Sequence, residues 1–207
     1  MFQNRTDAGR QLADLLDDHD VDADVVLGIP RGGLPVARPV ADALDAPLDV
    51  IVASKIGAPN NPELAIGAVA SDGSVWRNDD LIDRLGVDEE YVERERQSEA
   101  EAAREKLERY RGTDDPPDLE GKLVVVVDDG LATGATTTAA LRQVREAGAS
   151  RVVLAVPVGS PDSVERLQSE ADEVVVLETP PHFSAVGQFY ESFAQVSDEE
   201  AMEYLDG

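Results

Sequence analysis

A chain of 207 residues with 43 Asp and Glu against 18 Lys and Arg carries a formal charge of −25 and no cysteine. Disulfides and a thiol nucleophile are thereby excluded, and with no basic stripe a generic nucleic-acid binder is disfavoured. The length suits one sizeable hydrophobic core, so residues 1–207 read as a single domain.

Helix and strand signals alternate along the chain. Thr6 is placed to cap a first helix that carries Leu12, Leu15 and Leu16 on one face. Residues 25–29 form a buried strand, followed by a helix over 34–44 that Pro39 is expected to kink or shorten. A second strand covers 48–53, and residues 54–67, rich in Gly, Pro and Asn, read as a long loop. Asp72-Gly73 then turns a hairpin between strands at 66–70 and 74–77. A charged helical insertion spans about 88–111, capped by Asp88, with Glu90/Arg94 and Glu105/Arg109 at i,i+4 spacing. Its narrow apolar stripe of Ala100, Ala103, Leu107 and Tyr110 packs either on the sheet or on a second subunit, the latter making a homodimer. A cover over a ligand site is the alternative role for this helix. Strands at 123–127, 151–156 and 173–177 complete five core strands. The fold class expected is α/β, a doubly wound, mostly parallel five-stranded sheet with helices on both faces.

The densest chemical signal is residues 124–137. Four valines make a strand buried on both faces. Asp128 and Asp129 follow at its end, then a small, hydroxyl-rich turn, then a helix. A helix N-terminus after a Gly-containing loop offers free backbone N–H groups and about half a positive charge to an anion. Paired carboxylates do the opposite: they accept hydrogen bonds from a polyol or hold Mg²⁺. A ligand that satisfies both halves has hydroxyls near a phosphate, as ribose 5-phosphate does. In a second constellation, after the first strand, Gly32 and Gly33 let the backbone approach a ligand and Arg31 offers a fork of donors suited to phosphate. In an open α/β sheet the two loops can face one crevice. Lys55, one of only three lysines, stands where the second strand ends, and a point cation there suits a leaving group that gains negative charge. No G-x-G-x-x-G follows any strand, which argues against a dinucleotide fold.

An apolar strand, two acids and a loop ending in Thr133-Gly134 resemble the signature of the type I phosphoribosyltransferases, and the resemblance covers most of the chain. It implies phosphoribosyl pyrophosphate and a nitrogenous base as substrates, Mg²⁺ as cofactor and pyrophosphate as product. Asp128 and Asp129 would hold the ribose hydroxyls and, indirectly, the metal. Thr133, Gly134, Ala135, Thr136 and Thr137 would wrap the 5-phosphate, with Ala132 lining the same loop. Arg31, Gly32 and Gly33 would form the pyrophosphate loop, and the segment that begins at Lys55 a flexible loop that closes over the donor. The catalytic roles thus fall to Arg31, Lys55, Asp128 and Asp129, while Lys106, on the charged helix, is expected to be silent. The C-terminal segment, 179–207, holds Phe183, Phe189, Tyr190, Phe193 and Tyr204, and is either the family's hood over the acceptor base or a packing tail. Ala132 stands where some purine-transferring members place Asp, and Leu131-Ala132-Thr133-Gly134 is similar to the loop of adenine and uracil phosphoribosyltransferases. The likeness as a whole is to an uncharacterised group and fixes no acceptor.

The expected setting is nucleotide salvage in the cytoplasm, with no membrane and no nucleic-acid partner. Acidic excess spread along the chain, with lysine only at 55, 106 and 122, suits a salt-accumulating cytoplasm, where ions screen self-repulsion. Two other functions fit the same residues: a non-catalytic regulator that senses the donor, and a hydrolase that uses water as acceptor.

Overall fold

The computed structural model describes residues 1–206. Five parallel strands, β1 (Val25–Gly28), β2 (Leu48–Val50), β6 (Leu123–Val127), β7 (Arg151–Val158) and β8 (Glu173–Glu178), lie in the order β2-β1-β6-β7-β8. The direction of winding reverses between β1 and β6, so the crevice at their carboxyl ends is the topological switch point where such sheets bind ligands.

The valines of β6 show why this sheet needs helices on both sides. Val124 and Val126 pack with Leu141 and Val144 of α5 (Ala135–Glu146) and Leu167 of α6 (Pro161–Leu167). Val125 and Val127 pack with Leu12 and Leu16 of α1 (Arg5–Asp18) and Val36 and Val40 of α2 (Gly33–Ala43). All four are fully buried, each contributing roughly 1.5–3 kcal/mol. The helix α2 runs through Pro39 and is not shortened by it. The α1 cap is Asn4 rather than Thr6: the Asn4 side chain accepts from the Asp7 amide at 2.9 Å, so the helix starts earlier and carries Arg5 in its first turn.

A second, antiparallel sheet joins β3 (Ala53–Ala58), β4 (Asn61–Ala70) and β5 (Val75–Arg77). The hairpin at Asp72-Gly73 is present, with Gly73 at φ 95° and the Ser74 amide held by Asp72 Oδ1 at 2.8 Å. Two expectations fail. The core strand β2 ends at Val50, and Ala53 instead opens β3, paired with Ala70. Residues 54–67 are not a loop but most of a hairpin whose turn lies between Ala58 and Asn61. This hairpin forms because it has cover on both sides. Ile56, Ile66 and Val69 pack with Leu81 and Ile82 of α3 (Asp79–Leu85) and with Val92 and Ala100 of α4 (Glu89–Arg111). On the other side Ala65, Ala68 and Ala70 pack against Ala135 and Ala139 of α5.

Asp88 caps α4 as expected, accepting from the Glu90 amide at 3.0 Å. The expected i,i+4 pairs are replaced: Arg94 lies over the Tyr91 ring and 3.7 Å from Glu95, and Arg109 pairs with Asp198 at 2.7 Å. The stripe of α4 packs within the chain, with Ala103, Leu107 and Tyr110 against Leu34, Val50, Val52 and Ala201. Ala201 belongs to the last helix, α7 (Asp198–Asp206). The C-terminal aromatics pack on one another, with Phe183–Phe189 at 5.3 Å and Tyr190–Phe193 at 5.0 Å between ring centroids. Phe2 joins them, 5.3 Å from Tyr190, its amide donating to the Phe189 carbonyl and its carbonyl accepting from the Glu191 amide, both at 2.8 Å. No helix among the described residues is long and apolar enough to cross a membrane.

Candidate active site

Strands β1 and β6 end side by side, with Gly28 opposite Val127 and the Ile29 amide donating to the Val127 carbonyl at 2.9 Å. The loops that follow are therefore neighbours. How tightly they pack explains the two glycines after Arg31. A Cβ on Gly33 would lie 2.7 Å from the Val127 carbonyl oxygen and 3.2 Å from Asp128 Cα. One on Gly32 would lie 2.0 Å from Asp129 Oδ2. A side chain at either position would push the loop off the carboxylates. The Pro30–Arg31 peptide in this loop is cis.

Asp128 is held from two sides: Oδ1 accepts from the Asp129 amide at 2.8 Å, and Oδ2 from Thr137 Oγ1 at a long 3.4 Å. Burial raises its pKa well above the usual carboxylate range, and the neighbouring Asp129 charge raises it further. Asp129 is raised by burial too, but Arg5 opposes the shift, its Nε donating to Asp129 Oδ2 at 2.8 Å. Arg5 is fixed in turn by the Ala194 carbonyl at 2.8 Å and by the Phe193 ring, whose centroid lies 3.8 Å from the guanidinium carbon. Tyr190 Oη donates to the Asp129 carbonyl at 2.6 Å. A cavity of about 320 Å³ opens here, lined by Arg5, Arg31, Gly32, Asp129, Phe193, Gln195 and Val196.

The turn after the acids is aimed from outside. The Ala132 carbonyl accepts from Ser160 Oγ at 3.0 Å and Ser163 Oγ at 2.6 Å, and the Thr133 carbonyl accepts from Arg166. In a trans peptide the N–H points opposite the preceding C=O. The amides of Thr133 and Gly134 therefore face away from these α6-side partners. Gly134, at φ 66°, is the N-cap of α5, whose first-turn amides lack helical partners. Thr133 is exposed, Thr136 half-buried and Thr137 buried, its hydroxyl turned to Asp128.

The structure thus gathers Arg31, Gly32, Gly33, Asp128, Asp129 and residues 132–137 around one crevice. Lys55 stands apart from the acids. Its Nζ pairs with Glu63 Oε2 at 3.0 Å across the hairpin. It lies opposite Ala68. Directly paired residues share a face, so Lys55 is on the side of the second sheet that packs on the first turn of α5.

Two contributors escaped the sequence reading: Arg5 and, most clearly, Lys106. Lys106 is not a surface residue of a solvated helix. Its Nζ donates to the Pro30 carbonyl at 3.2 Å. Burial lowers its pKa below the ordinary lysine value, with Asp198 opposing and Arg31 adding to the depression. The spacing held a clue, since Lys106 is three residues from Ala103 and four from Tyr110 and so borders the buried stripe.

As for a metal, two carboxylates fit Mg²⁺, which uses one or two protein carboxylates and takes its remaining oxygens from phosphates and water. Asp128 and Asp129 are adjacent and largely buried, and a cation would offset the burial and the Asp129 charge that raise Asp128. No group of three or more candidate metal ligands occurs among the described residues.

A parallel sheet with acids at its switch point, next to the start of a helix, is the arrangement in which open α/β domains bind ligands at the strand ends. The chain belongs to the phosphoribosyl transferase domain family, whose model matches residues 3–193. Over 206 residues it is 48% identical to "Putative phosphoribosyl transferase Rv0571c" of Mycobacterium tuberculosis. That match takes in 100% of this chain but 46% of the relative, so the chain spans about half the length of the curated relatives it matches. The crystal structure of TT1426 from Thermus thermophilus is similar at a TM-score of 0.83 and 44% identity, covering 99% of this chain and 97% of that one. A purine phosphoribosyltransferase from Pyrococcus horikoshii shares the fold at a TM-score of 0.50 and 20% identity, over 92% of this chain and 91% of that chain.

Proposed function

We propose that this domain transfers a phosphoribosyl group from phosphoribosyl pyrophosphate to a nitrogenous base and releases pyrophosphate, as a step of nucleotide salvage in the cytoplasm. The observation that carries this reading is the placement of Asp128 and Asp129 between two anion-suited loops. On one side are the outward-facing amides of residues 133–134 and the start of α5; on the other, Arg31, Gly32 and Gly33.

In this reading the ribose hydroxyls donate to the two carboxylates, and residues 133–137 take the 5-phosphate. Arg31 and the Gly32-Gly33 backbone take the pyrophosphate, and Lys55 approaches it from the hairpin. Asp128 and Asp129 would also meet a Mg²⁺ carried by the donor, which supplies charge neutralisation for the leaving pyrophosphate. The bond from C1 to the pyrophosphate oxygen breaks with oxocarbenium character, and a ring nitrogen of the base forms the new bond. The protein's share is position and electrostatics. Phe193 and the aromatic group behind it stand at the rim, where a hood would cover the base.

The test is a panel of purine and pyrimidine bases, each incubated with phosphoribosyl pyrophosphate and Mg²⁺ in molar KCl. Nucleotide formed from one base would establish both activity and acceptor. Release of ribose 5-phosphate without any base would establish the hydrolase instead. Calorimetry that finds no donor binding under those conditions would sink the transferase reading.

A further inference from the structure

We propose that Lys106 is a direct ligand of the donor's pyrophosphate, presented from α4 beside Arg31. The inference rests on the transferase reading and adds a residue from an element that the sequence had left without chemistry. Its starting point is an ammonium that makes no ion-pair contact with a carboxylate among the described residues. This chain has 43 acidic side chains, yet Lys106 Nζ hydrogen-bonds only a neutral group, the Pro30 carbonyl at 3.2 Å. Asp198, the acid that acts most on it, is already committed to Tyr110 Oη at 2.6 Å and Arg109 at 2.7 Å. A partly buried cation without an ion-pair partner costs stability unless something else supplies the anion.

Its surroundings say what that anion is. Pro30 belongs to the loop between β1 and α2, and Arg31 and Asp128 lie close enough to shift the charge of Lys106. Two cations, Arg31 and Lys106, thus converge on one loop at the mouth of the crevice. An ammonium has three donors, and one is used at Pro30, so two remain for phosphate oxygens. A diphosphate needs more than one cation. Lys55, paired with Glu63 on the hairpin, is not at this loop.

The experiment compares calorimetric affinities for inorganic pyrophosphate and for ribose 5-phosphate, both with Mg²⁺, in the parent and in Lys106→Gln, Lys106→Arg and Lys122→Gln. Gln keeps a donor for the Pro30 carbonyl but no charge, so a role confined to holding the loop would leave pyrophosphate affinity unchanged. The expected result is a loss of roughly tenfold or more for pyrophosphate in Lys106→Gln, as removal of one charge-assisted hydrogen bond produces. Ribose 5-phosphate should bind all four proteins alike, and Lys106→Arg should recover part of the loss. Equal affinities, or equal losses for both ligands, would overturn the assignment.

A second measurement needs no variant. With three lysines in the chain, amine methylation read by mass spectrometry reports each separately. Pyrophosphate should protect Lys106 and ribose 5-phosphate should not; absence of protection overturns the proposal. A parent that binds phosphoribosyl pyrophosphate but fails these tests removes Lys106 alone. A parent that binds neither donor nor pyrophosphate removes the transferase reading as well.

Discussion

Asp128 is useful to a ligand and costly to the fold. Its pKa is raised in the folded chain by burial and by Asp129, whereas in the unfolded chain it ionises near the ordinary value of about 3.9. As pH climbs past that value the unfolded state gives up its proton first. Stability attributable to Asp128 is therefore complete at low pH and is lost as pH rises toward the folded pKa. Asp128→Asn removes that loss and keeps an acceptor for the Asp129 amide, while its Nδ2 would donate to Thr137 Oγ1 and reverse the long hydrogen bond there. The variant should melt higher than the parent at neutral pH, and the difference should close near about pH 4, as calorimetric scans at the two pH values would show. Donor affinity should fall at the same time, since each charge-assisted hydrogen bond lost is worth roughly 1.5–3 kcal/mol. An Asn variant that melts lower at neutral pH would mean that the carboxylate is a net stabiliser.

The hairpin of β3 and β4 is the element in which sequence and structure diverge most. Core strands were legible because their apolar runs are buried on both faces and need no alternation, as in β6. The hairpin was not, because only its base is covered. In β4 residues 61–64 are exposed and 65–70 buried, and register shifts around Gly57 break the period of two. What makes these residues strand is the cover from α3, α4 and α5, which no local window contains. Similar reasoning applies to the site: Asp128, Asp129 and the glycine loop are contiguous motifs and could be read, but Arg5 and Lys106 come from distant segments and only folding brings them in.

The hairpin also bears on Lys55. Its partner Glu63 is 89% exposed, and such a pair is worth under about 1 kcal/mol, so Lys55 can be released to a better anion. An interaction made on closure favours the transition state over the bound ground state. Lys55→Ala should lower kcat roughly 10²-fold while leaving the donor Kd nearly unchanged. Steady-state kinetics beside Lys122→Ala, at the far end of β6, checks this; equal and small effects would reduce Lys55 to a hairpin ion pair.

On the scale of the whole molecule a formal charge of −25 outweighs every local pairing. The Debye length falls from roughly 30 Å at 0.01 M salt to roughly 3 Å at 1 M. Repulsion across the molecule should fade over that range, and the melting temperature should rise with KCl into the molar range. A flat or falling curve would remove the link between this composition and a salt-rich cytoplasm. The same charge reaches beyond the fold to traffic with solution. Arg5, Arg31 and Lys106 make a small positive mouth in a strongly negative body. A polyphosphate arriving from a distance meets the body first, and the mouth only within the last few ångströms. For most anion-binding proteins added salt slows capture, because it screens attraction. Here it should do the reverse: at fixed Mg²⁺, stopped-flow association of the donor should quicken as KCl rises, until the repulsive field has shrunk to the size of the crevice.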